Sequence, residues 1–203
     1  MKKLLQKILS ICNIHPDSNQ KWLLLSMFFS WLLFTYASPA ITKEIISNLP
    51  AEWIAFQALF GSISGLLIGV LWKGKLREKA IKYFMWLAII ESILGCALAM
   101  FLCFVHYNVW IFAIVSLIYT NFISIFVGKC IMAFKAKLWN DKDREIFDNN
   151  LSIVSGIVCV IGFSLALFAM PPLKVALFIW GICCILDDIG WIYVYYLNKT
   201  KLT

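Results

Sequence analysis

Three carboxylates stand inside stretches that are otherwise apolar: Glu91, Asp187 and Asp188. A charged side chain at the centre of a bilayer costs about 3 kcal/mol on insertion scales unless it is protonated, paired or wetted. Acids placed this way mark ion, proton or substrate paths; the structural alternative is a protonated carboxyl bonded to the next helix. Neighbouring residues on a helix point about 100° apart, so at most one of Asp187 and Asp188 is expected to face a given cavity squarely. Asp188 shares a face with Cys184, Trp191 and Tyr195, and Asp187 with Trp180, Cys183 and Gly190. The aromatic company favours Asp188. Two further polar groups belong with these acids. Thr35 and Tyr36 precede Pro39, whose missing N–H frees a carbonyl within a span. Asn121 follows Tyr119 and Thr120 in another apolar run. The candidate substrate or ion pathway is therefore Glu91, Asp188, Asp187, Asn121, Thr35 and Tyr36.

No set of residues supports catalysis. Gly61-Ser62-Ile63-Ser64-Gly65 lacks the glycine–serine order of an intramembrane serine protease, and His106 belongs at a membrane surface. Cys103 and His106 are three apart on one helix end, whereas a cysteine nucleophile needs its base on a facing element. No H-e-x-x-h pattern occurs. With two histidines, and seven cysteines that form no C-x-x-C, no metal site and no cofactor are expected. The chain does not read as an enzyme.

The elements that must position the acids are helices in a bilayer. Of 203 residues, 62% are hydrophobic and 14% charged, against about 25% charged in a soluble domain. The excess falls into six runs, at 22–46, 51–72, 83–105, 109–134, 151–170 and 173–197, each near the roughly 20 residues that cross a hydrocarbon core. The expected fold is all-α and polytopic. Residues 21–198 form the six-helix domain, with a tail at 199–203. Residues 1–20 are either an amphipathic segment on the inner leaflet or a flexible basic one. Of eighteen Lys and Arg residues, all but Lys43 and Lys174 fall on one side of this layout. The positive-inside rule then places both termini in the cytoplasm. The basic loop Lys73, Lys75 and Arg77 is the densest marker of that side. Topology accounts for the net charge of +7, so lipid rather than nucleic acid is the expected partner.

Gly61, Gly65 and Gly69 recur every fourth residue and line one helix face, a pattern that lets a second helix approach closely in lipid. Pro39 is expected to kink the first span. Each half of the chain has a glycine-marked second helix and a third helix with an embedded acid, which points to a 3+3 inverted repeat.

The segment Gly69-Val70-Leu71-Trp72-Lys73-Gly74-Lys75-Leu76-Arg77 resembles the loop pattern between spans two and three of the major facilitator superfamily. Residues 143–165, DREIFDNNLSIVSGIVCVIGFSL, resemble the fourth loop and fifth helix of its drug-exporter members. The six-span layout is similar to the amino-terminal half of that fold. The resemblance implies a half-size transporter of the cytoplasmic membrane that works as a homodimer or with a second half. A small molecule would pass near spans one and four. Two other readings stay open: a substrate-binding membrane subunit of an energy-coupling-factor importer, and a non-transporting accessory or immunity protein.

Overall fold

The computed structural model describes residues 19–72, 78–79, 82–105 and 107–198. The amino-terminal segment 1–18, the basic loop residues Lys73, Lys75 and Arg77, His106 and the tail 199–203 lie outside the described residues. Among the described residues six long helices follow one another: α1 (Asn19–Asn48), α2 (Glu52–Leu71), α3 (Phe84–Met100, prolonged by a π-helical turn at Phe101–Val105), α4 (Val109–Leu138), α5 (Asp141–Phe168) and α6 (Leu173–Leu197). All six are long and apolar enough to cross a membrane. No strand occurs among the described residues.

Helix length explains where the polar residues went. At 1.5 Å per residue, α1 is about 45 Å long and α5 about 42 Å, more than the roughly 30 Å of hydrocarbon. Such lengths leave room for tilt or for ends outside the hydrocarbon. The polar stretch 135–150, which lies between the apolar runs 109–134 and 151–170, is mostly divided between two helices. Its first residues end α4 at Leu138, and Asp141–Asn150 open α5. The reversal is confined to Trp139 and Asn140. Asn140 caps α5 by accepting from the Asp143 amide at 2.8 Å, and Asp141 and Asp143 add negative charge to the first turn, where the helix dipole favours it. Lys135 of α4 pairs with Asp148 of α5 across the turn. An apolar window misses such an extension because its exposed face is charged.

The end of the bundle that carries these contacts also holds the start of α1 and the finish of α6; we refer to it as the basic end. Gln20 of α1 donates to the Asp143 carbonyl there at 3.3 Å. At the far end, Asn108 caps α4 through the amides of Trp110 and Ile111, at 2.9 and 3.3 Å. The Tyr107 hydroxyl donates to Glu44 Oε1 at 2.9 Å, tying the turn between α3 and α4 to the end of α1. Burial first, then the bond to Glu44, pushes the Tyr107 phenol above its ordinary value. A phenol whose folded pKa is raised contributes stability that is present below the unfolded value of about 10 and is lost as pH rises beyond it. Wild-type protein should therefore lose thermal stability from about pH 9.5 upward. Tyr107→Phe should flatten that decline, read as melting midpoint against pH; an unchanged slope would remove the phenol from this role.

α6 is the centre of the bundle. It packs along α1 on one side and α3 on the other; α5 lies against α1, α4 against α3, and α2 outermost against α4. Half of the apolar window of α6 is buried, against 11% of that of α2, so α2 meets mainly what surrounds the bundle. In lipid, helices hold together by close packing and hydrogen bonds rather than by escape from water. Small residues make the closest approaches. A methyl group at Gly190 of α6 would lie 2.8 Å from Ser26 Cβ of α1, and one at Gly181 would lie 2.9 Å from Ala99 Cβ of α3. Near the basic end, Phe84 and Phe134 stack at 4.5 Å, and Trp191 stands edge-on to both and to Phe147. Toward the far end, Trp180 meets Phe112 and Tyr119 edge-on.

Candidate functional site

A cleft of about 240 Å³ lies among α1, α3, α4 and α6. α6 supplies its floor. Trp180, Cys183, Cys184, Asp187 and Asp188 all line it, because positions three, four and seven apart share one side of a helix. Glu91 enters from α3. Ser30, Trp31 and Phe34 come from α1, and Tyr119, Thr120 and Ser124 from α4. The α4 residues sit on or beside a π-helical turn, Tyr119–Ile123. Such a turn inserts one extra residue into the helix and re-aims the side chains after it, and it recurs at functional sites.

Glu91, Asp187 and Asp188 all line this cleft. Glu91 and Asp188 are 9% and 4% exposed. Ser92 of α3 donates its hydroxyl to Asp188 Oδ2 at 2.6 Å and lies 3.3 Å from the Cys184 carbonyl. A hydroxyl has one proton, and the shorter contact is to the carboxyl. Asp187 lies beside the Trp31 side chain, and its Oδ1 is buried with no hydrogen-bond partner. None of the lining residues is Lys, Arg or His; Lys129, on the same helix as Tyr119, is exposed. The acids are therefore a like-charge group with no cation among the residues that line the cleft. Among the described residues no three His, Cys, Asp or Glu side chains are placed to hold a metal ion.

Two serines fasten the floor to α1. Ser30 donates to the Cys183 carbonyl at 3.1 Å, and Ser26 donates to the Leu186 carbonyl. Tyr119 reaches Cys184 Sγ from α4 at 3.4 Å. The acids thus sit on a helix gripped from three sides. The mouth is formed by Phe34, 45% exposed, and Thr120, also exposed. It lies between α1 and α4.

The sequence placed Glu91, Asp187 and Asp188 in one pathway, and the structure brings them together. It differs on the aspartates: both line the cleft, since the cleft wraps around α6 rather than meeting it on one line. The other three candidates lie outside the lining. Thr35 is buried against α5, donating within reach of the Trp31 carbonyl at 2.8 Å and the Val158 carbonyl at 3.2 Å. Tyr36 is half-buried. Asn121 donates to the Leu117 carbonyl at 3.1 Å and lies where a methyl at Gly61 would come, 2.6 Å from its Oδ1. Of the glycine face, Gly61 therefore meets a neighbour, while a methyl at Gly65 or Gly69 would meet nothing within 4 Å. α1 runs unbroken through Pro39.

Sequence reasoning passed over Ser30, Trp31, Phe34 and Ser92. Two signals pointed to the serines: Ser26 and Ser30 recur at a spacing of four, and Ser92 adjoins Glu91. Trp31 and Phe34 gave none, being two apolar residues among many. No protein-family model matches the chain, nor does any curated protein or any solved structure.

Proposed function

We propose that this chain is a half-size membrane transporter that acts as a homodimer, with the acidic cleft as the path of a small molecule. One observation carries the reading: a cleft holding three carboxyl groups opens sideways between α1 and α4. Facing lipid, such a mouth would leave the acids beside hydrocarbon, at the cost that makes intramembrane charge rare. A second copy laid on the α1 and α4 faces removes that cost and joins two clefts into one wet passage.

The neighbour relations support an inverted repeat of α1–α3 and α4–α6. Exchanging the halves turns the α1–α5 contact into α4–α2 and the α1–α6 contact into α4–α3, and leaves α3–α6 unchanged; all of these pairs are in contact. Two glycine contacts follow the same exchange, Gly162 of α5 on Thr35 of α1 and Gly61 of α2 on Asn121 of α4. The distribution of basic residues supports a cytoplasmic basic end in a cytoplasmic membrane. Likeness to half of a major facilitator fold is the corresponding family reading. The open face at Gly65 and Gly69 favours a second reading, an importer subunit that meets a partner through α2.

In lipid nanodiscs the protein should have twice the 23.3 kDa mass of one chain. Cells producing it should take up or expel at least one compound of a broad labelled panel. Glu91→Gln should reduce that movement by about tenfold or more, as expected when a buried charge loses its role. A strict monomer in nanodiscs would count decisively against the scheme.

A further inference from the structure

We infer that the cleft accepts an organic ammonium ion bearing at least one N–H, its charge held by the acids and its apolar body held by the aromatic walls. The inference rests on the cleft being a substrate site, as read above, and names the chemical class of that substrate.

Three observations favour this class over the others. No lining residue is basic, so an anion would find no counter-charge beside Glu91, Asp187 and Asp188. A neutral polar molecule would bring no counter-charge, so an ionised acid there would stay unpaired or take up a proton. No three acidic or sulfur groups among the described residues converge as metal ligands do, which disfavours a bare metal ion. Four of the nine other lining residues are rings, Trp31, Phe34, Tyr119 and Trp180, beside small hydroxyl and thiol side chains. A ring face attracts a cation within about 6 Å of its centroid, by about 2 kcal/mol or more when water is excluded, and it packs against hydrocarbon as well.

The N–H requirement comes from the hydrogen-bond account of the two aspartates. Asp188 has its donor in the Ser92 hydroxyl. Asp187 Oδ1 is buried and has none. A buried acceptor left without a donor is costly, and an ammonium N–H supplies the donor and the opposite charge at once. A quaternary ammonium supplies only the charge.

The test is titration of the full-length protein in nanodiscs with four probes, followed by tryptophan fluorescence and calorimetry. They are 2-phenylethylammonium, its N-trimethylated analogue, 2-phenylethanol and sodium chloride. The primary amine should bind saturably, with the quaternary analogue and the alcohol each about tenfold weaker or more, the equivalent of about 1.4 kcal/mol. Asp187→Asn should weaken the amine by about tenfold. Ser62→Ala on α2, whose hydroxyl bonds only its own helix at the Ala58 carbonyl, should change nothing. If Asp187→Asn does not fold, the probe ranking on wild-type protein decides alone. Equal binding of alcohol and amine, equal binding of the quaternary ion, or a response to sodium with none to the amine overturns the inference. Amine binding without movement across the membrane keeps it and removes the transporter reading. Movement of an anionic or neutral compound without amine binding does the reverse.

Discussion

Trp191→Ala should be the most destabilising single change near the basic end of the bundle, lowering stability by about 3–5 kcal/mol. The side chain is 1% exposed. It stands edge-on to Phe84 at 6.4 Å, Phe134 at 6.3 Å and Phe147 at 6.2 Å, residues of three different helices. Removing it leaves a ring-sized void where α3, α4, α5 and α6 converge. Neighbours that stack on one another, as Phe84 and Phe134 do, cannot collapse inward without losing that contact. Trp191→Phe separates size from chemistry. The indole N–H is buried and makes no hydrogen bond, so the smaller ring loses packing but also removes an unsatisfied donor worth about 1–3 kcal/mol. The two terms oppose each other. We expect Trp191→Phe to cost less than half of what Trp191→Ala does, read as unfolding midpoints in mild detergent with added denaturing detergent. Equal losses for the two variants would show that ring volume does not govern this site.

The second large effect is expected at Gly162. A methyl group there would collide with Thr35 Oγ1, lie 2.8 Å from Thr35 Cβ and lie 3.1 Å from the Leu32 carbonyl. The hydroxyl can be turned aside, but the backbone oxygen of α1 cannot. Gly162→Val should therefore push α5 off α1 and open the close approach of Thr35 to the Val158 carbonyl, 3.2 Å. Overpacking of this kind costs about 1–3 kcal/mol. Gly65→Val is the matched control, since nothing lies within 4 Å of that position. Yield of monodisperse protein and melting midpoint should fall for Gly162→Val and hold for Gly65→Val. A fall for Gly65→Val alone would instead place a second chain on α2.

The pair also shows what could and could not be read before the structure. Gly61, Gly65 and Gly69 announce themselves by spacing, yet Gly162, which has no such partner in register, makes the closer contact. Spacing reports that a face is smooth; it does not report what lies against it. The six spans were legible because each must be apolar over a full bilayer thickness, a demand that no other fold places on a sequence. The charged opening turns of α5 were harder, because there water replaces lipid and the demand lapses. Glu91, Asp187 and Asp188 stood out because their cost in lipid is high wherever they point. Thr35 and Asn121 cost little, so their presence in a span did not distinguish a cleft from a helix contact. Only the three-dimensional arrangement, with Thr35 turned to α5 and Asn121 to α2, separates them from the acids.

The central place of α6 has a consequence for how the protein is made. α6 leaves the ribosome after the other five helices, yet α1 and α3 find their main partner in it. Until Leu173–Leu197 enters the bilayer, the hydroxyls of Ser26, Ser30 and Ser92 have no α6 carbonyl or carboxyl to bind. Until then the first five helices lack the partner along which α1 and α3 pack. The helix that brings in both aspartates is also the one that closes the bundle, so assembly and completion of the cleft are a single event.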